Sequence, residues 1–238
     1  AAKSGLRRLA QEAGVPIVEF GATQTVTVPD SDPPRKVPVA RAVLDADVVI
    51  NLPKFKVHTQ VYMTLAVKNL FGCVRGRRKA LYHFQRGDRP IEFARLLVDV
   101  ARVASPALTL IDGIVALERH GPSNGDPRSL GLVLAGTDCT ALDRIACQVV
   151  GADPDRLLTL TAAREAGWGE TDLLKIETFF AGRPVDAWLS PLAPALADRP
   201  FVLPVELTPL VFSPYRLVRG LVRQAWSLLH PAARKPAG

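Results

Sequence analysis

The sequence predicts an α/β fold: a mostly parallel or mixed sheet with helices on both faces, plus a Pro-rich C-terminal extension ending in an amphipathic helix. Three observations carry this. Runs such as "DVVINL" and "ALTLID" are apolar on both sides, as strands between two layers are. They alternate with segments of helical spacing, the pattern of a sheet with crossover helices. After about Gly182 the texture changes, and residues 184–238 hold nine of the twenty prolines, too many for regular structure. One α/β domain is therefore expected over residues 1–182, with the extension over 183–238. No repeat of 20–50 residues is visible, which disfavours a solenoid.

The elements follow in order. Ser4 to Ala13 has helical spacing, with Leu6, Leu9 and Ala10 on one side and Gly14 at the stop. This opening helix should follow an earlier strand, so residues upstream are expected. "VPIVEF" reads as a strand, "TQTVTVP" as a half-buried one, and "VPVARAVLDA" as a strand running into a short helix. Then come the strand "DVVINL", a helix near Val61–Leu70, an irregular basic loop, a helix over Ile91–Ala104 and the strand "ALTLID". The turn-rich "ERHGPSNGDPRS" leads to the strand "LGLVLAG". Thr137 or Asp138 is placed to cap the helix "CTALDRIACQVV" by accepting from a free amide. "DPDRLLTLTAAREAG" reads as a further helix, with Pro154 near its start and Gly167 at its end.

The chain carries a formal charge of +7, which favours acidic partners. The charge is concentrated. Residues 51–90 hold nine Lys/Arg against the single Asp88, and residues 211–238 hold five with no acid. A diffuse basic coat is thereby excluded. Cys73, Cys139 and Cys147 are too few and too far apart for a zinc site, and a reducing cytoplasm is the default compartment. No apolar run approaches a membrane span. In "PYRLVRGLVRQAWSLLH", Leu217, Leu221, Ala225 and Leu228 line one side, with Arg216, Arg219 and Arg223 elsewhere. That helix either packs on the domain or meets a membrane surface peripherally.

Chemistry is sought first in "LPKFKVH". Ligands of open α/β sheets bind beyond the carboxyl ends of strands. In an extended stretch Lys54, Lys56 and His58 fall on one side. Converging there, they would bind an anion, depress one another's pKa values, and leave one lysine able to act as a base or covalent amine. The alternative is a solvated loop. Lys68 stands on an otherwise apolar helix and either contacts an anion or forms a structural ion pair. The run "RGRRK", with Lys79, suits phosphate but lacks the P-loop pattern. Asp112 ends a strand before Gly113, and Glu118 follows; carboxylates there are general-base or metal-ligand candidates, or else a turn cap and an ion pair. Asp138 is foremost a helix cap. Asp143, among apolar neighbours, either pairs with a crevice cation or lines the site.

Together, "INLPKFKVH", "TLAVKNLFGCV", "YH", "LIDGIVALE", "HGPSNG" and "LAGTDCTALD" resemble a domain-of-unknown-function family of bacteria and archaea, commonly fused to ferredoxin-type iron–sulfur modules. The resemblance covers roughly Ala46 to Gly169. It places family motifs on Lys54, Lys56, His58, Lys68, Asn69, Asp112, Gly113, Glu118, Asp138 and Asp143, without giving the family's reaction. On the residues' own chemistry, Lys54, Lys56, His58, Asp112 and Glu118 are the catalytic candidates, and Lys68, Asn69, Lys79, His83, Gly113, Asp138 and Asp143 the substrate-binding ones. Where relatives tend to have a glycine after the glutamate, this chain has Arg119, which argues against a tight turn there. The ferredoxin module's cysteine runs are absent, so this chain holds no iron–sulfur ligand set and its cofactor is unidentified.

Three functions compete on these residues. The first is an enzyme acting on a small anionic substrate in a redox or iron–sulfur pathway, with a ferredoxin-like partner. A fold-level analogy to nickel-pincer racemases attaches to it. The second is a non-catalytic anion-binding or scaffold module. The third, nucleic-acid binding, is the weakest, because few aromatics accompany the basic loop and no recognition motif appears.

Overall fold

The computed structural model describes residues 5–74, 89–180, 183–184 and 199–208. Lys79, His83, the basic run around them and the C-terminal helix lie outside the described residues. The expected α/β class holds, with a mixed sheet.

The sheet is organised around one long strand, β6 (Leu108–Glu118), as the element order β1 (Thr23–Thr27), β2 (Lys36–Ala40), β3 (Ile50–Asn51), β4 (Lys54–His58), β5 (Tyr62–Thr64), β6, β7 (Asp126–Gly136) unfolds. β7 runs antiparallel along one edge of β6. Along the other edge lie β3 and β4 in succession, both parallel to β6. They are one strand interrupted at Leu52–Pro53, where proline has no amide to give to the ladder. The Pro53 carbonyl still accepts from the Asp112 amide at 2.9 Å. β5 turns back antiparallel to β4. β1 and β2 form a separate antiparallel pair.

Helices α3 (Ala66–Leu70), α4 (Pro90–Ala104), α5 (Cys139–Val150) and α6 (Leu158–Glu165) pack on one another beside the sheet. α4 has proline in its first turn, where a missing amide costs nothing, and stops at Ser105 in the left-handed region. Its buried Asp99 accepts from Arg35 Nε and Nη2, each at 2.8 Å, tying the β1–β2 pair to the helical layer. The face of the sheet carrying Asn51, Thr109 and Ile111 is buried against α3 and α5. On alternate positions of the same strands Ile50, Leu52, Ile114 and Val133 are each more than half exposed. The helix α1 (Leu6–Glu12) buries no residue, and α2 (Arg41–Leu44) follows β2 directly.

Several sequence expectations are corrected. "ALTLID" does not end at Asp112: β6 continues to Glu118, because β7 extends the ladder along its free edge. Of the turn-rich segment only residues 119–125 form the hairpin loop, and Asp126–Ser129 already belong to β7. The helix expected over Val61–Leu70 begins only at Ala66, since Tyr62–Thr64 bury all three side chains by pairing with β4. "VPIVEF" gains no strand partner among the described residues, and "DVVINL" contributes only Ile50–Asn51 to the ladder.

Candidate functional site

β4 alternates as its sequence predicts. Phe55 and Val57 are buried on one side, while Lys54 and Lys56 are half-buried and His58 buried on the other. The Lys54 ammonium lies 2.6 Å from Asp112 across the parallel pair, with both side chains partly open to solvent. That hydrogen bond holds the Asp112 carboxyl below its usual range, with the Ile114 amide also donating to it at 3.1 Å. Beyond this pair the register slips: Lys54 faces Asp112 but Lys56 faces Leu117, so Gly113–Ala116 bulge away from β4. Lys56 makes no ion pair among the described residues, and its cross-strand neighbour is Thr64. The Thr64 hydroxyl is buried without a hydrogen-bond partner. His58 accepts the Gln60 amide proton on Nδ1 at 3.1 Å, so Nδ1 is the unprotonated ring nitrogen in this geometry.

The remaining motif residues serve the covered side. Asn69 donates to Asn51 at 2.8 Å, and Asn51 donates to the Ala66 carbonyl at 3.0 Å. Thr109 bonds both Asn51 and the Cys139 sulfur, each at 3.3 Å. Asp143 reaches from α5 to accept the Ala66 and Val67 amides at 2.7 and 3.2 Å, capping α3, which has no cap of its own. Burial pushes the Asp143 carboxyl up to about 7; the two amides oppose that shift and Asp138 adds to it. Asp138 caps α5 through Thr140 and Ala141, as expected, and also accepts the Glu170 amide at 2.8 Å. Lys68 lies over the Phe71 ring, 5.0 Å from its centroid. Burial pushes the Cys139 thiol up to about 12, so it is no nucleophile.

Glu118 is fully buried and bonds Arg199 and the Val202 amide. Burial raises its carboxyl, but these donors and the Arg199 and Arg128 charges outweigh it and leave the group below its usual range. Glu118 therefore anchors residues 199–208 instead of facing Lys54. The tight turn that Arg119 argued against is made all the same. Arg119 adopts a φ of 66°, its guanidinium paired with Asp126 at 3.1 Å.

The expected convergence is thus divided. Lys54 and Asp112 meet, with Lys56 beside them; Asn69, Asp138, Asp143 and Glu118 hold the frame, and Gly113 lies buried in the bulge against the Leu132 carbonyl. Sequence reading missed Asn51, Thr64, Thr109 and Arg199. Asn51 and Thr109 had a signal, as lone polar residues in strands that are otherwise apolar. Among the described residues no three His, Cys, Asp or Glu side chains gather in a way that could hold a metal ion.

Fold and site define an α/β domain whose mixed sheet carries an exposed Lys–Asp pair on one face and a closed polar network on the other. The chain belongs to the family described as a domain of unknown function, DUF362, which matches residues 1–148. It is also similar to the thylakoid-associated protein sll1697 of Synechocystis sp., 42% identical over 171 residues, which are 72% of this chain and 53% of that protein. The chain spans about half the length of this curated relative. No solved structure matches it.

Proposed function

We propose that the domain binds a small anion, a carboxylate or phosphate compound, at Lys56 on the outer side of β4. The observation that carries this is Lys56 itself: a half-buried cation without an ion pair among the described residues, opposite a buried Thr64 hydroxyl that lacks a partner. A buried hydroxyl left unbonded costs free energy that an acceptor oxygen would recover. The surplus positive charge of residues 51–90 supports the same ligand class. Lys54 is already paired with Asp112, so the binding role falls to Lys56.

Titration calorimetry of phosphate and of small di- and tricarboxylates against the wild type and Lys56→Met tests it. Methionine keeps the apolar stem and removes the charge. The expected loss is about tenfold or more in affinity, the worth of a hydrogen bond to a charged group. Unchanged affinity would sink the site.

A second reading, peripheral membrane association, is favoured by the relative's thylakoid association and by the five cations without an acid in residues 211–238. Sedimentation with anionic vesicles, with and without residues 214–238, tests that separately. Vesicle binding that survives the deletion would remove the segment from the account.

A further inference from the structure

β7 is an outer strand of the main sheet, pairing among the described residues with β6 alone. Such an edge offers unpaired amides and carbonyls to any extended chain. Its two halves differ. The first carries Pro127 and Arg128, residue types that discourage edge pairing, and ends near Gly131 with a φ of 66°. The second, Leu132 to Gly136, holds no charge and no proline. Among the described residues its backbone makes no hydrogen bond besides the β6 ladder.

Beside this second half lies a groove of about 610 Å³, floored by Leu132 and Leu134 and walled by Leu142, Ile145, Ile176 and Phe179. That volume falls in the range of sites that take ligands. Its charged lining is Asp138, Glu170, Glu177 and Lys175. Asp138 and Glu170 are spent on backbone amides, and Lys175 leans on Asp172 at 3.8 Å. Glu177 is exposed and forms no ion pair among the described residues. The groove is thus locally acidic on a chain that is basic overall.

We propose that the Leu132–Gly136 edge and this groove form a docking site for an extended partner segment, apolar at alternate positions and basic at one end. The segment adds to β7 as a further strand. Backbone bonds to β7 supply affinity, side chains at every second position enter the groove, and Glu177 meets the basic residue. Five residues of strand span roughly 17 Å, enough for two or three such side chains. The local acidity selects a basic partner, where charge on the whole chain would select an acidic one.

The test uses the full chain and three blocked heptapeptides. One alternates valine and threonine and ends in lysine, one is the same peptide N-methylated at alternate residues, and one has glutamate in place of lysine. Binding is followed by fluorescence anisotropy, and hydrogen exchange maps the amides. The expected result is saturable binding of the lysine-ended peptide that slows exchange at residues 132–136. N-methylation should cost about tenfold or more, the worth of two lost hydrogen bonds. The glutamate peptide should bind less tightly, and Glu177→Lys should reverse that preference. Equal binding of the N-methylated peptide would overturn the proposal, as would no saturable binding at millimolar concentration. Exchange at residues 132–136 already slowed by self-association of the free chain would overturn it too.

Discussion

The two faces of the sheet are made from the same strands at alternate positions, yet they treat polar groups in opposite ways. On the covered face Asn51, Thr109, Asn69 and Asp143 are bonded to one another or to α3, and all but the partly exposed Asn69 are buried. On the open face the Lys54–Asp112 ion pair lies partly open to solvent among exposed Ile50, Leu52, Ile114 and Val133. A motif residue that is buried and fully bonded is already employed in holding the fold, whereas one left half-exposed keeps its chemistry available for a ligand. The difference divides the Lys, His, Asp and Glu motifs into a frame and a site.

The sharpest way to break this comparison is to strand a buried charge. Arg199→Met removes the side-chain partner of fully buried Glu118 and leaves its carboxylate with the Val202 amide alone, so it should cost the most stability of these substitutions. Urea unfolding should show a clear fall in the midpoint; an unchanged midpoint would mean that water reaches Glu118.

A middle effect is expected from pH. Because burial lifts Asp143 to about 7, the folded chain holds that proton more tightly than the unfolded chain, whose carboxyl titrates near 4. The contribution is full below about pH 4 and is lost as pH rises through 7, on the order of 1–3 kcal/mol. Asp112 and Glu118 act in reverse, their contribution being lost as pH falls below about 4. Melting temperature should therefore rise from pH 7.5 to pH 5.5, and Asp143→Asn should flatten that slope while lowering overall stability. A slope that survives the substitution would assign it to another group.

The smallest effect belongs to the open face. Lys54→Met should change stability by less than about 1 kcal/mol, as exposed ion pairs do. A larger loss in chemical denaturation would show that the open face also serves the frame.

The alternating pattern made much of this legible. The helices at Ile91–Ala104 and Cys139–Val150, the Asp138 cap and the shared side of Lys54, Lys56 and His58 followed from spacing and capping chemistry. Other features did not. The extension of β6 past Asp112 depends on a partner strand that no local pattern announces, and residues 62–64 pair as a strand because β4 is there to receive them. Glu118 was visible as a carboxylate, but its partner Arg199 is 81 residues away, beyond any sequence-local rule. Thr64 carried no signal at all, since spacing placed it inside the helix expected over Val61–Leu70.

The borrowed cap on α3 has a consequence for how the chain folds. A helix of five residues lies far below the length that sustains itself in water. Its first two amides are bonded by a carboxylate 76 or 77 positions further along the sequence. α3 therefore has no reason to exist before α5 docks, and the two should form in one concerted late event. Mutations at Asp143 should accordingly speed unfolding more than they slow folding, leaving the early, local part of the pathway to α4 and the β6–β7 hairpin.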